Sequence, residues 1–246
     1  VLNLNNKKIL VAGLGNETGD VFLQTFAGWG ATVTGIDCSA ICDEKVKLQS
    51  NTVSLVPIDF YDMGKIPGLL SALIHDIGPF QGFVFNGGLG GVRPLSMTTP
   101  DFAQEMIAAN TLTFIELVRI LVKNKGIENG SGIVAVSSVS SIKGLKSKIA
   151  YSASKAALDA AVRSMAAEMS AKKIRVNSLL KGWITSDMTQ DFIENNRQLN
   201  KDEDFKKQLL GPSTPDELAN LAAFLLSDAV PTLTGSAILL DGGYSL

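Results

Sequence analysis

Short apolar runs rich in Val and Ile alternate along this chain with longer stretches in which apolar residues recur every three to four positions. A continuous apolar run of four to six residues fits a strand buried on both faces, and the longer period fits a helix with one face on a core. The runs at 9–12, 32–36, 53–58, 82–85, 133–137, 175–179 and 237–240 are predicted as strands. Between the first two, Phe22, Phe26 and Trp29 stand at i, i+4 and i+7, one face of a helix that Gly30 terminates. Helices are predicted likewise over 67–76, 100–125, 151–172 and 215–227. This alternation predicts an α/β fold: a doubly wound parallel sheet of about seven strands with helices on both faces. No repeat, low-complexity tract or Pro-rich linker divides the chain, so residues 1–246 are expected to form a single domain. The segment 189–210 is polar and charge-dense, and a substrate lid over 183–211 is the candidate reading; a solvated pair of surface helices fits the charge density equally well.

Composition narrows the partners. The 246 residues are 46% hydrophobic and 19% charged, which excludes a disordered chain. Basic and acidic side chains nearly balance, at 22 against 24, and the basic ones are scattered, so a nucleic-acid footprint is not expected. The most apolar stretch, 218–226, is far shorter than the roughly 20 residues of a membrane span. Two cysteines, Cys38 and Cys42, make neither a disulfide framework nor a zinc site. With no apolar targeting segment ahead of the first strand, the expectation is a cytoplasmic protein with a small-molecule partner and no metal. His75, the only histidine, ends a helix away from every motif and reads as structural or surface.

Candidate chemistry begins at the first strand's end. Gly13, Gly15 and Gly19 punctuate a turn between strand and helix, where free backbone amides and the helix dipole favour a phosphate. The spacing G-x-G-x-x-x-G is one residue off the dinucleotide fingerprint of Rossmann-type folds, and glycine also serves tight turns for geometry alone. After the second strand comes Asp37, where a carboxylate can accept both hydroxyls of an adenosine ribose and would repel a 2′-phosphate. No Arg or Lys stands in the loop or directly after Asp37, so NAD is favoured over NADP. Asp59, closing the third strand, could reach an adenine amino group or serve as a turn carboxylate.

A second constellation follows the fifth strand. Ser137 and Ser138 end an apolar run, and 13 residues after Ser138 comes Tyr151-Ser152-Ala153-Ser154-Lys155. Tyr151 and Lys155 are i, i+4, so on a helix their Cβ atoms lie roughly 5–6 Å apart on one face. A phenol titrates near 10, and a cation about 4 Å away contributes roughly 4 kcal/mol at an effective dielectric of 20, up to about three pKa units. Desolvation opposes part of that, so Lys155 and an oxidised nicotinamide together would bring the phenol into working range.

This ordered set resembles the short-chain dehydrogenase/reductase family over essentially the whole chain. Asn86-Gly87-Gly88 is similar to the family's Asn-Ala-Gly, Asn110 matches its active-site helix Asn, and Arg175-Val176-Asn177 opens its next strand. Thr185 and Met188 follow Gly182 as in the family's Thr-x-x-Met, and Leu233-Thr234-Gly235 through Asp241-Gly242-Gly243 resembles its C-terminal signature. The resemblance implies Tyr151 as the acid/base, Lys155 lowering its pKa and holding the ribose, Ser138 orienting a carbonyl, and Asn110 holding a proton-relay water. It implies cofactor contacts from Gly13, Gly15, Asn16, Glu17, Thr18 and Gly19 in the loop. Asp37, Asp59, Asn86, Gly87, Gly182, Ile184 and Thr185 would add further contacts, beside Tyr151 and Lys155. The implied activity is NAD-dependent interconversion of an alcohol and a ketone by a homotetramer.

The chain departs from the family pattern at two charged positions. Glu17 replaces the middle glycine of the loop, so an acid stands at a phosphate site and is expected to turn toward solvent or a hydroxyl. Lys181 stands where the family has Pro; it either attracts an anionic substrate or extends into solvent, the plainer reading. Trp183 either lines an apolar substrate pocket or packs. These departures keep two alternatives open: a non-catalytic NAD-binding or regulatory subunit, and an enoyl-thioester reductase-like activity. Those reductases space Tyr and Lys by six residues, against three here.

Overall fold

A computed structural model describes residues 3–185 and 207–246. The strands β1 (Lys8–Ala12), β2 (Thr32–Asp37), β3 (Val53–Pro57), β4 (Phe80–Phe85), β5 (Ile127–Ser138), β6 (Arg175–Lys181) and β7 (Ala237–Leu240) form one parallel sheet in the order β3-β2-β1-β4-β5-β6-β7. Its helices are α1 (Glu17–Gly28), α2 (Ser39–Glu44), α3 (Ile66–Ile77), α4 (Pro100–Ile107), α5 (Thr113–Lys123), α6 (Ile149–Met169) and α7 (Pro215–Leu226). The seven predicted strands all form, and the sheet is of the Rossmann type.

Strand alternation makes the two-sided core. Leu10 and Ala12 of β1 face one side with Phe83, Phe85, Phe114 and Leu158. Ile9 and Val11 face the other with Phe22, Phe26, Leu218 and Ala222. Phe22 and Phe26 are fully buried with ring centres 5.5 Å apart, while Trp29, the C-cap of α1, packs partly buried at the margin. Gly30 then takes φ +93°, the left-handed conformation that ends the helix.

Two predicted elements are corrected. The helix expected over 100–125 is broken by a wide π-type turn at Ala108–Leu112, between α4 and α5. An extra residue in one turn changes which face continues inward, and here it leaves Asn110 and Thr111 buried. The six-residue α2 was not predicted, being too short to show a period.

The sheet order reverses between β2-β1 and β4, which opens a crevice beyond the carboxyl ends of β1 and β4. The chain's last third is tied to the same sheet. Arg175 donates to the carbonyls of Leu225 and Ser227, and Asn177 exchanges hydrogen bonds with Leu233 and Ser236, so the Arg-Val-Asn motif is structural.

Candidate active site

The glycine loop is built for close backbone approach. Gly13 has φ +99°, and a Cβ there would stand 2.7 Å from Gly87 Cα. A Cβ on Gly19 would meet Leu14 Cα at 2.6 Å, so α1 can start against the loop only with glycine. At Gly15 the nearest atom to a built Cβ is 3.5 Å away, and this residue faces the crevice. Asn16 caps α1: its Oδ1 accepts from Gly19 N at 3.2 Å, from Thr18 Oγ1 at 2.6 Å and from Asn86 Nδ2 at 3.0 Å. Asn86 Nδ2 also donates to Gly13 O at 2.9 Å, locking the end of β4 to the loop. Glu17 opens α1; its side chain lies outside the described residues.

Asp37 is buried and already engaged. Its Oδ2 accepts from Leu14 N at 2.7 Å and Gly15 N at 3.1 Å, and its Oδ1 from Cys38 N at 2.8 Å. The carboxylate thus organises the glycine loop, and its remaining lone pairs are what a ribose could use. Asp59 is exposed and accepts from Tyr61 N at 3.0 Å, the turn role left open above. Sequence reading missed Tyr61. Its ring packs on Phe60 at 4.8 Å and its hydroxyl accepts from Gly88 N at 2.8 Å. Burial raises the phenol's pKa, the Gly88 amide opposes this, and the charges of Asp37 and Asp59 add to the rise.

At the other end, Ser138 and Tyr151 come together across β5 and α6. Tyr151 and Ser138 line the same cavity; burial raises the phenol's pKa and the Ser138 hydroxyl draws it back. Ser138 Oγ also donates to Ser140 Oγ at 3.1 Å. Lys155 is buried, its Nζ donating to Val136 O at 2.9 Å and lying 6.0 Å from the Tyr151 ring centre. Burial is the largest cause that brings its pKa down to about 7. Asn110 is fully buried: its Oδ1 accepts from Leu89 N at 2.7 Å, and its Nδ2 donates to Leu89 O at 3.0 Å and Ser154 Oγ at 2.8 Å. Both amide protons are thereby taken, and the side chain clamps the loop after Gly88 rather than presenting a donor to the crevice.

A cavity of about 520 Å³ runs from Gly15, Asn16 and Thr18 to Ser138, Tyr151 and Trp183. A smaller one of about 210 Å³ joins Asn86 and Gly87 to Tyr151 and Lys155. Lys181 lines both, so it does not simply extend into solvent. Trp183 lines the larger cavity, with Lys148 Nζ 5.3 Å from its ring. Gly182 N donates to Leu240 O at 2.9 Å, Ile184 pairs with Ser213, and Thr185 N donates to Ser213 O at 2.7 Å, which pins this segment beside the crevice. Of the candidate lid, residues 186–206 and with them Met188 lie outside the described residues. His75 is exposed beside Asp76, away from both cavities. Among the described residues there is no cluster of His, Cys, Asp or Glu that could hold a metal, and no helix long and apolar enough to cross a membrane.

The residues fit a dinucleotide: a glycine cradle that a Cβ would fill and a capped helix N-terminus lead along the two cavities to Tyr151 and Lys155, and the buried carboxylate that ends β2 holds the loop amides. Comparison with known proteins agrees. The family model described as enoyl-(acyl carrier protein) reductase matches residues 17–245. L-xylulose reductase of Caenorhabditis elegans is 29% identical, over 99% of this chain and 97% of its own length. The 7alpha-hydroxysteroid dehydrogenase of Escherichia coli K12 is 27% identical, over 98% and 95%. A solved short-chain dehydrogenase/reductase of Brucella melitensis superposes with a TM-score of 0.88 at 22% identity, covering 98% of each chain, and shows the shared fold. With this match across the sheet and both ends of the crevice, the chain belongs to the short-chain dehydrogenase/reductase family, oxidoreductases of alcohol and ketone substrates.

Proposed function

We propose that the protein is an NAD(H)-dependent oxidoreductase interconverting a secondary alcohol and a ketone, with Tyr151 as acid/base. The observation that carries this reading is that Ser138 and Tyr151 line one cavity that continues to the glycine loop, with buried Lys155 beside Tyr151 in the adjoining one. The dinucleotide, when bound, supplies the hydride acceptor or donor. The chain's own groups do the rest. Ser138 holds the substrate oxygen, Tyr151 takes the alcohol proton or returns it to the ketone oxygen, and Lys155 in its ammonium form favours the phenolate. Thr18 and Asn16 order the loop whose amides would hold the pyrophosphate; Gly182 and Ile184, which line the larger cavity, and Thr185, fixed beside them by Ser213, would border the nicotinamide.

Asp37 supports NAD over NADP, because a buried carboxylate fixed to the loop amides leaves its charge where a 2′-phosphate would lie. The xylulose and hydroxysteroid relatives are named for oxidation or reduction at a hydroxyl-bearing carbon, which supports the alcohol–ketone class. The Tyr151–Lys155 spacing counts against an enoyl-thioester reductase. A cytoplasmic homotetramer is part of the same reading, with exposed Leu239 on the edge strand β7 and exposed Leu112 beside α5 as surfaces for assembly. Calorimetry with NADH and NADPH, followed by a panel of alcohols, ketones and enoyl thioesters, tests the proposal. Tighter NADH binding and turnover of an alcohol–ketone pair are expected. Preference for NADPH overturns the reading of Asp37, and binding without turnover across the panel favours a regulatory subunit.

A further inference from the structure

Two opposite charges outside the cofactor loop, Asp159 and Lys181, stand on the helix of Lys155 and in its cavity. Asp159 follows Lys155 by one turn on α6, where i and i+4 side chains share a face. This carboxylate is 4% exposed, and neither of its oxygens has a hydrogen-bond partner. Such a group is costly to keep unless a nearby charge compensates it. Lys181 comes from the neighbouring strand β6. It closes β6 in register with Ser138 and lines both cavities beside Tyr151, one of which also contains Lys155. Among the described residues lining the smaller cavity the other titratable group is Tyr151, and Lys148 Nζ lies 5.6 Å from the Tyr151 ring centre; Asn16 and Asn86, which also line it, and Asn110 are uncharged.

We propose that Asp159 and Lys181 act as opposed positioning residues for the acid–base pair, the buried carboxylate holding Lys155 in its ammonium form and Lys181 working against it. The direction of each influence is consistent with this: beyond the effect of burial, Lys181 lowers the Lys155 pKa and Asp159 raises it. With the result near neutrality, changing either charge alters the fraction of Lys155 able to favour a phenolate. The consequence for turnover rests on the oxidoreductase reading; the effect on Lys155 does not.

The test reads Lys155 directly. In the full-length protein with 13C-labelled lysine, the Lys155 Cε resonance is assigned by its loss in Lys155→Met and titrated without cofactor or substrate. Its midpoint is expected to fall by about one pH unit in Asp159→Asn and rise by about one in Lys181→Met. Asp159→Glu, which keeps the charge, is expected to stay near wild type and serves if Asp159→Asn does not fold. Midpoints that stay put in both neutral variants, or move the same way, overturn the proposal. A substrate found by the panel gives a second reading, since the alkaline limb of kcat/KM for alcohol oxidation should follow the same two directions. Opposed NMR shifts without any turnover would uphold the pairing and count only against the oxidoreductase reading.

Discussion

Asn110 Nδ2 lies 2.8 Å from Ser154 Oγ, and that hydroxyl donates in turn to the carbonyl of Tyr151 at 2.7 Å. Thr111 Oγ1 adds a bond to Ser154 O at 2.7 Å. The wide turn between α4 and α5 is thereby fastened to the turn of α6 that carries Tyr151 and Lys155, and through Leu89 to the loop after β4. The break in the helix is what turns Asn110 and Thr111 toward α6.

Asn110→Ala should therefore cost more than a surface change. It leaves the part-buried Leu89 amide and carbonyl and the buried Ser154 hydroxyl each short of a partner, at about 1–3 kcal/mol for an unsatisfied buried group. At about 2–4 °C per kcal/mol for a domain of this size, thermal unfolding should shift down by roughly 2–12 °C. Ser154→Ala removes one hydroxyl from the same chain and should cost about 1 kcal/mol. Equal midpoints for Asn110→Ala and wild type would show that the clamp does not hold the turn.

Tyr151→Phe keeps the ring and removes the proton carrier. Turnover of an identified alcohol should fall by about 10²–10⁴-fold or more, the range for general acid–base groups, while NADH affinity changes little. Stopped-flow turnover and calorimetry on the same preparation check both halves. Retained turnover would mean that another group moves the proton.

The strands, the crevice and the Tyr151–Lys155 pair were legible because each rests on local pattern: continuous apolar runs, glycines at a strand end, an i, i+4 spacing. What escaped depends on which residues meet through the fold. Tyr61 carries no signal of its own, and its hydroxyl reaches Gly88 only because β4 lies beyond β1 and β2 in the sheet. Asp37 was legible as an acid after β2, but its grip on the Leu14 and Gly15 amides follows from the parallel register of β1 and β2. Lys181 read as a solvent-facing substitution because its register opposite Ser138 is set by a strand pairing between distant segments.

Tyr61→Phe tests the tie between the segment after β3 and the end of β4. Loss of the hydroxyl frees the Gly88 amide, and the segment after β4 should hold its place less well. Because Gly88 lines the cavity of Tyr151 and Lys155, we expect NADH and reduced nicotinamide mononucleotide both to bind about 5-fold more weakly, the effect of roughly 1 kcal/mol. Unchanged affinity for both would show that the bond to Gly88 does not hold this segment.

Lys155 also makes stability depend on pH in a direction that can be worked out. Its pKa falls from the ordinary 10.5 to about 7, chiefly through burial. Below about pH 7 the lysine is protonated in both folded and unfolded chains, and the cost of burying the ammonium is fully present. Between about 7 and 10.5 the unfolded chain binds more protons, so stability rises with pH across this window. The full fall corresponds to roughly 5 kcal/mol at 1.36 kcal/mol per pKa unit, an upper bound on the gain. Lys155→Met, of similar length and without charge, removes that dependence together with the bond to Val136 O. The variant also leaves the Asp159 carboxylate without the ammonium, which sets an offset, and relative to wild type its unfolding temperature should fall steadily from pH 6 to pH 10. Thermal unfolding of both proteins across this range, compared pH by pH, cancels the titration of the other groups. A gap that stays constant from pH 6 to 10 would show that Lys155 does not titrate in the folded protein within this window.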